Sequence, residues 1–195
     1  MHNIVNTNQY FTKTFNNHRV HNKKLGNLFL NKEYELKPVS TEYNRIPGIQ
    51  TINDLYNIFE WQYTSIKWLS KNIYNFINEL FMIENINNYF IHGWFNVLNT
   101  DESLGWHIHW DRFGKCRDNN ITTISGHYII DAEQSSTIYE NFTIPTKNGT
   151  CTIFDPKLKH KTDYKKDGLR TSIAFDIVPN MNCLKGKPIK LGDII

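Results

Sequence analysis

The apolar residues of this chain change rhythm twice, and the changes divide it into three stretches. Over 1–50 polar residues dominate, and apolar ones come in short pieces such as Leu28-Phe29-Leu30 and Tyr34-Glu35-Leu36, punctuated by Pro38 and Pro47-Gly48. This texture predicts one or two edge strands and a loop. From Thr51 a helical rhythm sets in: Leu55, Phe59, Ile66, Leu69, Ile73, Phe76, Ile77 and Leu80 recur with no glycine or proline among them. One long helix or two consecutive ones are predicted over 52–84. Thr51 and Asp54 have the spacing of a capping box, with Asp in place of Glu. Trp61, Trp68 and Phe76 then belong to a face packed on a sheet.

After Asn85 the rhythm shortens again. The runs 89–98, 106–110, 122–130, 136–139, 150–154 and 171–178 are rich in β-branched and aromatic residues and are separated by Gly, Asn, Asp or Pro. Short strands following a helical segment predict a mainly β fold with flanking helices. The expected form is a double-stranded β-helix (a cupin-like jelly roll) with one or two long helices packed on one sheet. At 195 residues the chain is read as one domain: an irregular N-terminal edge over 1–50, helical support over 51–85, the jelly roll over 89–179 and a tail over 180–195.

Composition narrows the picture little. A formal charge of +3 argues for no particular partner. The basic clusters at 18–24 and 157–166 are too short to form a nucleic-acid stripe and are read as solvated faces. Three cysteines, Cys116, Cys151 and Cys183, form neither a disulfide framework nor a C-x-x-C pair. Together with the lack of an apolar leader or membrane-length apolar run, they lead to the expectation of a soluble, cytoplasmic protein.

The chemistry is concentrated in two places. His109 and Asp111 form an H-x-D, and His160 lies about fifty residues on, at a predicted turn between strands. Two histidines and a carboxylate can cap one face of an octahedral iron and leave the other open. His107 shares a face with His109 and Asp111. It is therefore an alternative first ligand, with His109 preferred because only it completes the H-x-D. Ten residues after His160 comes Arg170, followed by Ser172. Two apart on a strand, they point the same way and can grip a carboxylate, the arginine through a charge-assisted contact. Arg170, Ser172, Ala174 and Asp176 alternate against Thr171, Ile173, Phe175 and Ile177.

The order and spacing of His109, Asp111, His160, Arg170 and Ser172 resemble the pattern of the Fe(II)/2-oxoglutarate-dependent oxygenases. Trp94-Phe95-Asn96 and Ser125-Gly126-His127-Tyr128 look like features of small phage and bacterial members, in which an H-x-H precedes an S-G-x-Y strand. The segment 112–120, inserted before that strand, departs from their pattern. The resemblance covers about 89–179 and implies a dioxygenase that uses Fe(II), 2-oxoglutarate and O2 to hydroxylate a C–H bond, releasing succinate and CO2. It implies His109, Asp111 and His160 as catalytic metal ligands and Arg170 and Ser172 as partners of the far carboxylate of 2-oxoglutarate. Asn96 and Tyr128 are further candidate contacts, and His107 would sit behind the ligands or face the substrate. The expected substrate is a protein side chain or a small metabolite rather than nucleic acid, with no membrane partner. Trp106 and Trp110 are expected in the core, with 101–105 and 112–120 around the mouth. Two rivals remain at this point: a cupin-like metal enzyme that uses no 2-oxoglutarate, and a non-catalytic jelly-roll binding or structural module.

Overall fold

Two nine-residue strands, Phe90–Leu98 and Arg170–Val178, pair antiparallel along their whole length and form the middle of the larger sheet. Both are almost entirely buried. The structure is a computed structural model that describes residues 10–40, 49–50, 56–81, 85–110, 113, 123–184 and 187–194. In chain order its elements are β1 (Tyr10–Thr14), α1 (His18–Ser40), β2 (Ile49–Gln50), α2 (Thr64–Phe81), β3 (Phe90–Leu98), β4 (Ile124–Asp131) and β5 (Ser136–Tyr139). There follow β6 (Thr143–Pro145), β7 (Thr150–Phe154), β8 (His160–Thr162), β9 (Arg170–Val178) and β10 (Ile189–Lys190). The larger sheet runs β1-β7-β4-β9-β3-β10, with β2 also on β3, and the smaller runs β6-β5-β8. An antiparallel bridge between His107 and His160 carries the smaller sheet one strand further. This is the double-sheet jelly roll.

The helices cover one face of the larger sheet. Ile91, Phe95 and Val97 of β3, Tyr128 and Ile130 of β4, and Ile173, Phe175 and Ile177 of β9 share one core cluster with Leu25 and Phe29 of α1. From α2 the same cluster takes Ile66, Leu69, Ile73, Phe76 and Ile77. Phe29 stacks on Phe95 with ring centroids 4.4 Å apart. Gly126 sits where the Phe175 ring crosses β4: a Cβ there would lie 2.4 Å from that ring and 2.7 Å from the Thr152 carbonyl.

Helix α1 corrects the irregular reading of 1–50, although β1 is an edge strand as expected. Only Asn22, Leu25 and Phe29 of its first half are deeply buried, too narrow a stripe to show as a helical rhythm. Packing on β4 and α2 selects the helix instead. Helix α2 is shorter than 52–84; before it a 3-10 turn spans Ile58–Glu60, capped by the Asn57 side chain. The capping-box residues Thr51 and Asp54 lie outside the described residues. The tail is not loose, since Ile189 pairs with Ile91. Cys151 is a buried free thiol, whereas Cys183 is disulfide-bonded, contrary to the expectation for the cysteines. Among the described residues no helix is long and apolar enough to cross a membrane.

Candidate metal centre

Strand alternation, having given one face to the helices, hands the opposite face to the space between the sheets. Asp176 pairs with His92 on β3 and Ser125 on β4; Ala174 pairs with Trp94 and His127; Ser172 pairs with Asn96 and Ile129. These residues share the inner face, and the smaller sheet closes over them. Trp94 lies 5.5 Å from His109, Phe154 4.8 Å from His160, and Tyr139 5.5 Å from His160, ring centroid to ring centroid.

At one end three imidazoles converge. His107, His109 and His160 each offer a ring nitrogen, and these atoms lie within 4.8 Å of one another. The reciprocal backbone hydrogen bonds of the bridge, His107 N to His160 O at 2.9 Å and His160 N to His107 O at 3.0 Å, fix the first and third side by side. His109 is held by its N–H on the Pro156 carbonyl at 3.0 Å. Each ring has its Nδ1 at an acceptor: Gly105 O at 2.8 Å for His107, Asp176 Oδ1 at 2.7 Å for His109 and Leu158 O at 2.9 Å for His160. Carbonyl and carboxylate oxygens only accept, so Nδ1 carries the proton, and in the neutral ring the Nε2 lone pair is left for a metal. Burial, and then the neighbouring His109 and His107, push His160 down to about 2, which keeps it in the neutral, metal-binding form. The donor chemistry fits a divalent transition metal such as iron, nickel or zinc.

At the other end lies a buried cation. Arg170 is 2% exposed; its Nε donates to Ser135 Oγ and its Nη1 to Ser172 Oγ, both at 3.2 Å. Ser135 in turn donates to the Asp163 carbonyl at 3.0 Å. Burial lowers the guanidinium to about 10, with the charge of Asp163 acting in the opposite direction, so it stays charged at neutral pH. A buried positive charge whose side-chain hydrogen bonds go to the hydroxyls of Ser135 and Ser172 is a site for an anion. Between the ends stands His127, driven down to about 3 by burial and then by Arg170 and His109.

The expected site residues fall into three groups. His109, His160, Arg170 and Ser172 come to the same interior, and Asn96, 3% exposed, lies beside Ser172. Asp111 lies outside the described residues, and the geometry brings His107 to His109 and His160 as a ligand candidate instead of leaving it behind them. Tyr128 is a correction. It points to the helices, donates to Asn22 Oδ1 at 2.5 Å and stacks on Phe15, so it faces away from the cavity. His127 takes the inner position, one residue away, which the strand parity of Ser125 opposite Asp176 could have shown. Ser135 and Asp176 were also missed as partners of Arg170 and His109. Trp110 packs against the cluster of Phe113, Val178, Cys183 and Leu184, whereas Trp106 is 45% exposed and is not core.

No family model and no curated protein matches the sequence. Solved structures do. The viral collagen prolyl hydroxylase from Paramecium Bursaria Chlorella virus-1, in its 2OG complex, superposes with a TM-score of 0.62 at 12% identity, over 89% of this chain and 97% of that one. HygX from Streptomyces hygroscopicus, with nickel and 2-oxoglutarate bound, gives 0.59 at 11% identity over 90% and 84%. The non-heme monooxygenase ThoJ, as its nickel complex, gives 0.59 at 11% over 88% and 74%. At such identities the likeness is one of fold, and the chain has the jelly-roll architecture of these proteins over nearly its whole length.

Proposed function

We propose that the chain is an Fe(II)- and 2-oxoglutarate-dependent dioxygenase that hydroxylates an unactivated C–H bond of a protein side chain or small molecule. The observation that carries this reading is the pairing of a three-histidine cluster with a buried Arg170 on the same inner side of the larger sheet. A dicarboxylate that chelates a metal at one end and needs a cation at the other suits that arrangement. The fold shared with 2-oxoglutarate-bound HygX supports it. The ligand set proposed is His107, His109 and His160, in place of a set containing Asp111.

Bound iron with 2-oxoglutarate and O2 supplies the oxidation, with succinate and CO2 as co-products. The protein's part is positional. His107, His109 and His160 present Nε2 atoms from backbone-anchored rings. Arg170, steadied by Ser135 and Ser172, takes the far carboxylate, and Asn96 and His127 line the span between. Trp94, Tyr139 and Phe154 wall the histidines with aromatic surface and keep bulk water from the metal end.

One observation favours a second reading, a cupin-like metal enzyme that uses no 2-oxoglutarate: among the described residues the three converging donors are histidines. An anaerobic titration of metal-free protein with Fe(II) and 2-oxoglutarate separates the two. A visible metal-to-ligand charge-transfer band that needs both additions supports the dioxygenase. Iron binding without any such band supports the cupin-like reading, and no iron binding defeats both.

A further inference from the structure

The three imidazoles are not backed alike. His107 and His160 rest their Nδ1 atoms on backbone carbonyls, Gly105 O and Leu158 O. His109 is backed by a side-chain carboxylate, Asp176. That carboxylate is fully buried, and its Oδ1 accepts from His109 Nδ1 at 2.7 Å and from Ser125 Oγ at 2.6 Å. It sits in the centre of the larger sheet, opposite His92 on one neighbouring strand and Ser125 on the other.

We propose that Asp176 is the positioning residue of the metal centre: anchored by Ser125, it holds His109 with Nε2 toward the metal and supplies the negative charge that three imidazoles lack. The inference rests on the metal reading above. Before 2-oxoglutarate binds, a divalent ion on three neutral rings receives no negative charge from them, and uncompensated charge beside the buried His109 and His160 is costly. A carboxylate directly behind a ligand imidazole offsets part of that charge. It also fixes the tautomer and strengthens the ring as a donor. Ser125 keeps the carboxylate from rotating away, which gives the serine of the Ser125-Gly126 pair a task distinct from that of the glycine, where the Phe175 ring needs room.

The test uses Co(II) as the probe, with affinity from calorimetry and ligand geometry from its visible absorption. Asp176→Asn keeps an oxygen to accept from Ser125 and His109 but removes the charge; Asp176→Ala removes both. Affinity is expected to fall about 10- to 100-fold in the Asn variant and further in the Ala variant. In the metal-free protein, the strongly hydrogen-bonded His109 Nδ1–H should give a downfield proton resonance that moves upfield in Asp176→Asn. A folded Asn variant with wild-type Co(II) affinity and spectrum overturns the proposal. Should that variant fail to fold, Ser125→Ala carries the test, with a several-fold loss expected and unchanged affinity overturning it. If the wild-type protein binds no Co(II), the metal reading itself fails, and this proposal with it.

Discussion

Replacing Arg170 by methionine removes a charge from the interior at nearly constant shape, and two consequences of opposite sign follow. In the metal-free protein burial lowers the guanidinium from its ordinary value to about 10. At about 1.4 kcal/mol per pKa unit, that corresponds to about 3 kcal/mol of strain in the charged form. Its hydrogen bonds to Ser135 and Ser172 offset about 2 kcal/mol of this, at about 1 kcal/mol each. Arg170→Met should therefore leave the resting protein as stable as wild type or up to about 1 kcal/mol more so. The co-substrate experiences the reverse. Removing one partner of a buried charge pair costs about 2–5 kcal/mol, so 2-oxoglutarate affinity should fall by about 30-fold to several thousand-fold. Thermal melts of the metal-free protein and calorimetric titration of 2-oxoglutarate into the Mn(II)-loaded protein measure the two effects. A variant that binds 2-oxoglutarate as wild type does, or melts many degrees lower, would refute the reasoning.

Four further outcomes are expected. His107→Ala and His160→Ala should each abolish tight Co(II) binding in a spectroscopic titration, whereas a His107 that merely faced the substrate would leave it intact. Tyr128→Phe deletes the bond to Asn22 and should cost about 1–2 kcal/mol in urea unfolding, with 2-oxoglutarate affinity unchanged because the side chain faces the helices. Gly126→Ala, whose Cβ would meet the Phe175 ring at 2.4 Å, should destabilise the fold by about 1–3 kcal/mol in the same assay. His160 and His127 are neutral when folded, at about 2 and about 3, and protonate near 6.5 when unfolded. The unfolded chain thus takes up more protons as pH falls below 6.5. Metal-free stability should decline by about 2 kcal/mol per residue at pH 5 relative to pH 8, and flat stability between those values would contradict it.

The legible part of the site is the part that strand parity dictates. Arg170, Ser172, Ala174 and Asp176 alternate with apolar neighbours, and β9 does turn them to the cavity while Ile173, Phe175 and Ile177 go to the helices. Parity also corrects Tyr128, which was expected from the resemblance: with Ser125 opposite Asp176, the inward residue is His127. The choice among His107, His109 and Asp111 was not available to a pattern, because all three share one face of an extended segment. What brings His107 in is a tertiary contact, its backbone bridge to His160. Helix α1 was hidden for a different reason. Its buried residues are few and include the polar Asn22, whose amide donates to the Ile130 carbonyl at 2.7 Å, so its partners on β4 rather than its own rhythm account for it. The jelly roll itself was readable from short β-branched runs, since each strand of two packed sheets must show one apolar face.

On the proposed function, metal and 2-oxoglutarate lie between the three histidines and Arg170. Anomalous diffraction from crystals grown anaerobically with Ni(II) and 2-oxoglutarate tests it most directly. The account predicts a nickel peak about 2 Å from the Nε2 atoms of His107, His109 and His160, with density for the dicarboxylate continuing from it to Arg170. A peak held by Asp111 in place of His107 would contradict the ligand set, and nickel without density reaching Arg170 would contradict the role of 2-oxoglutarate.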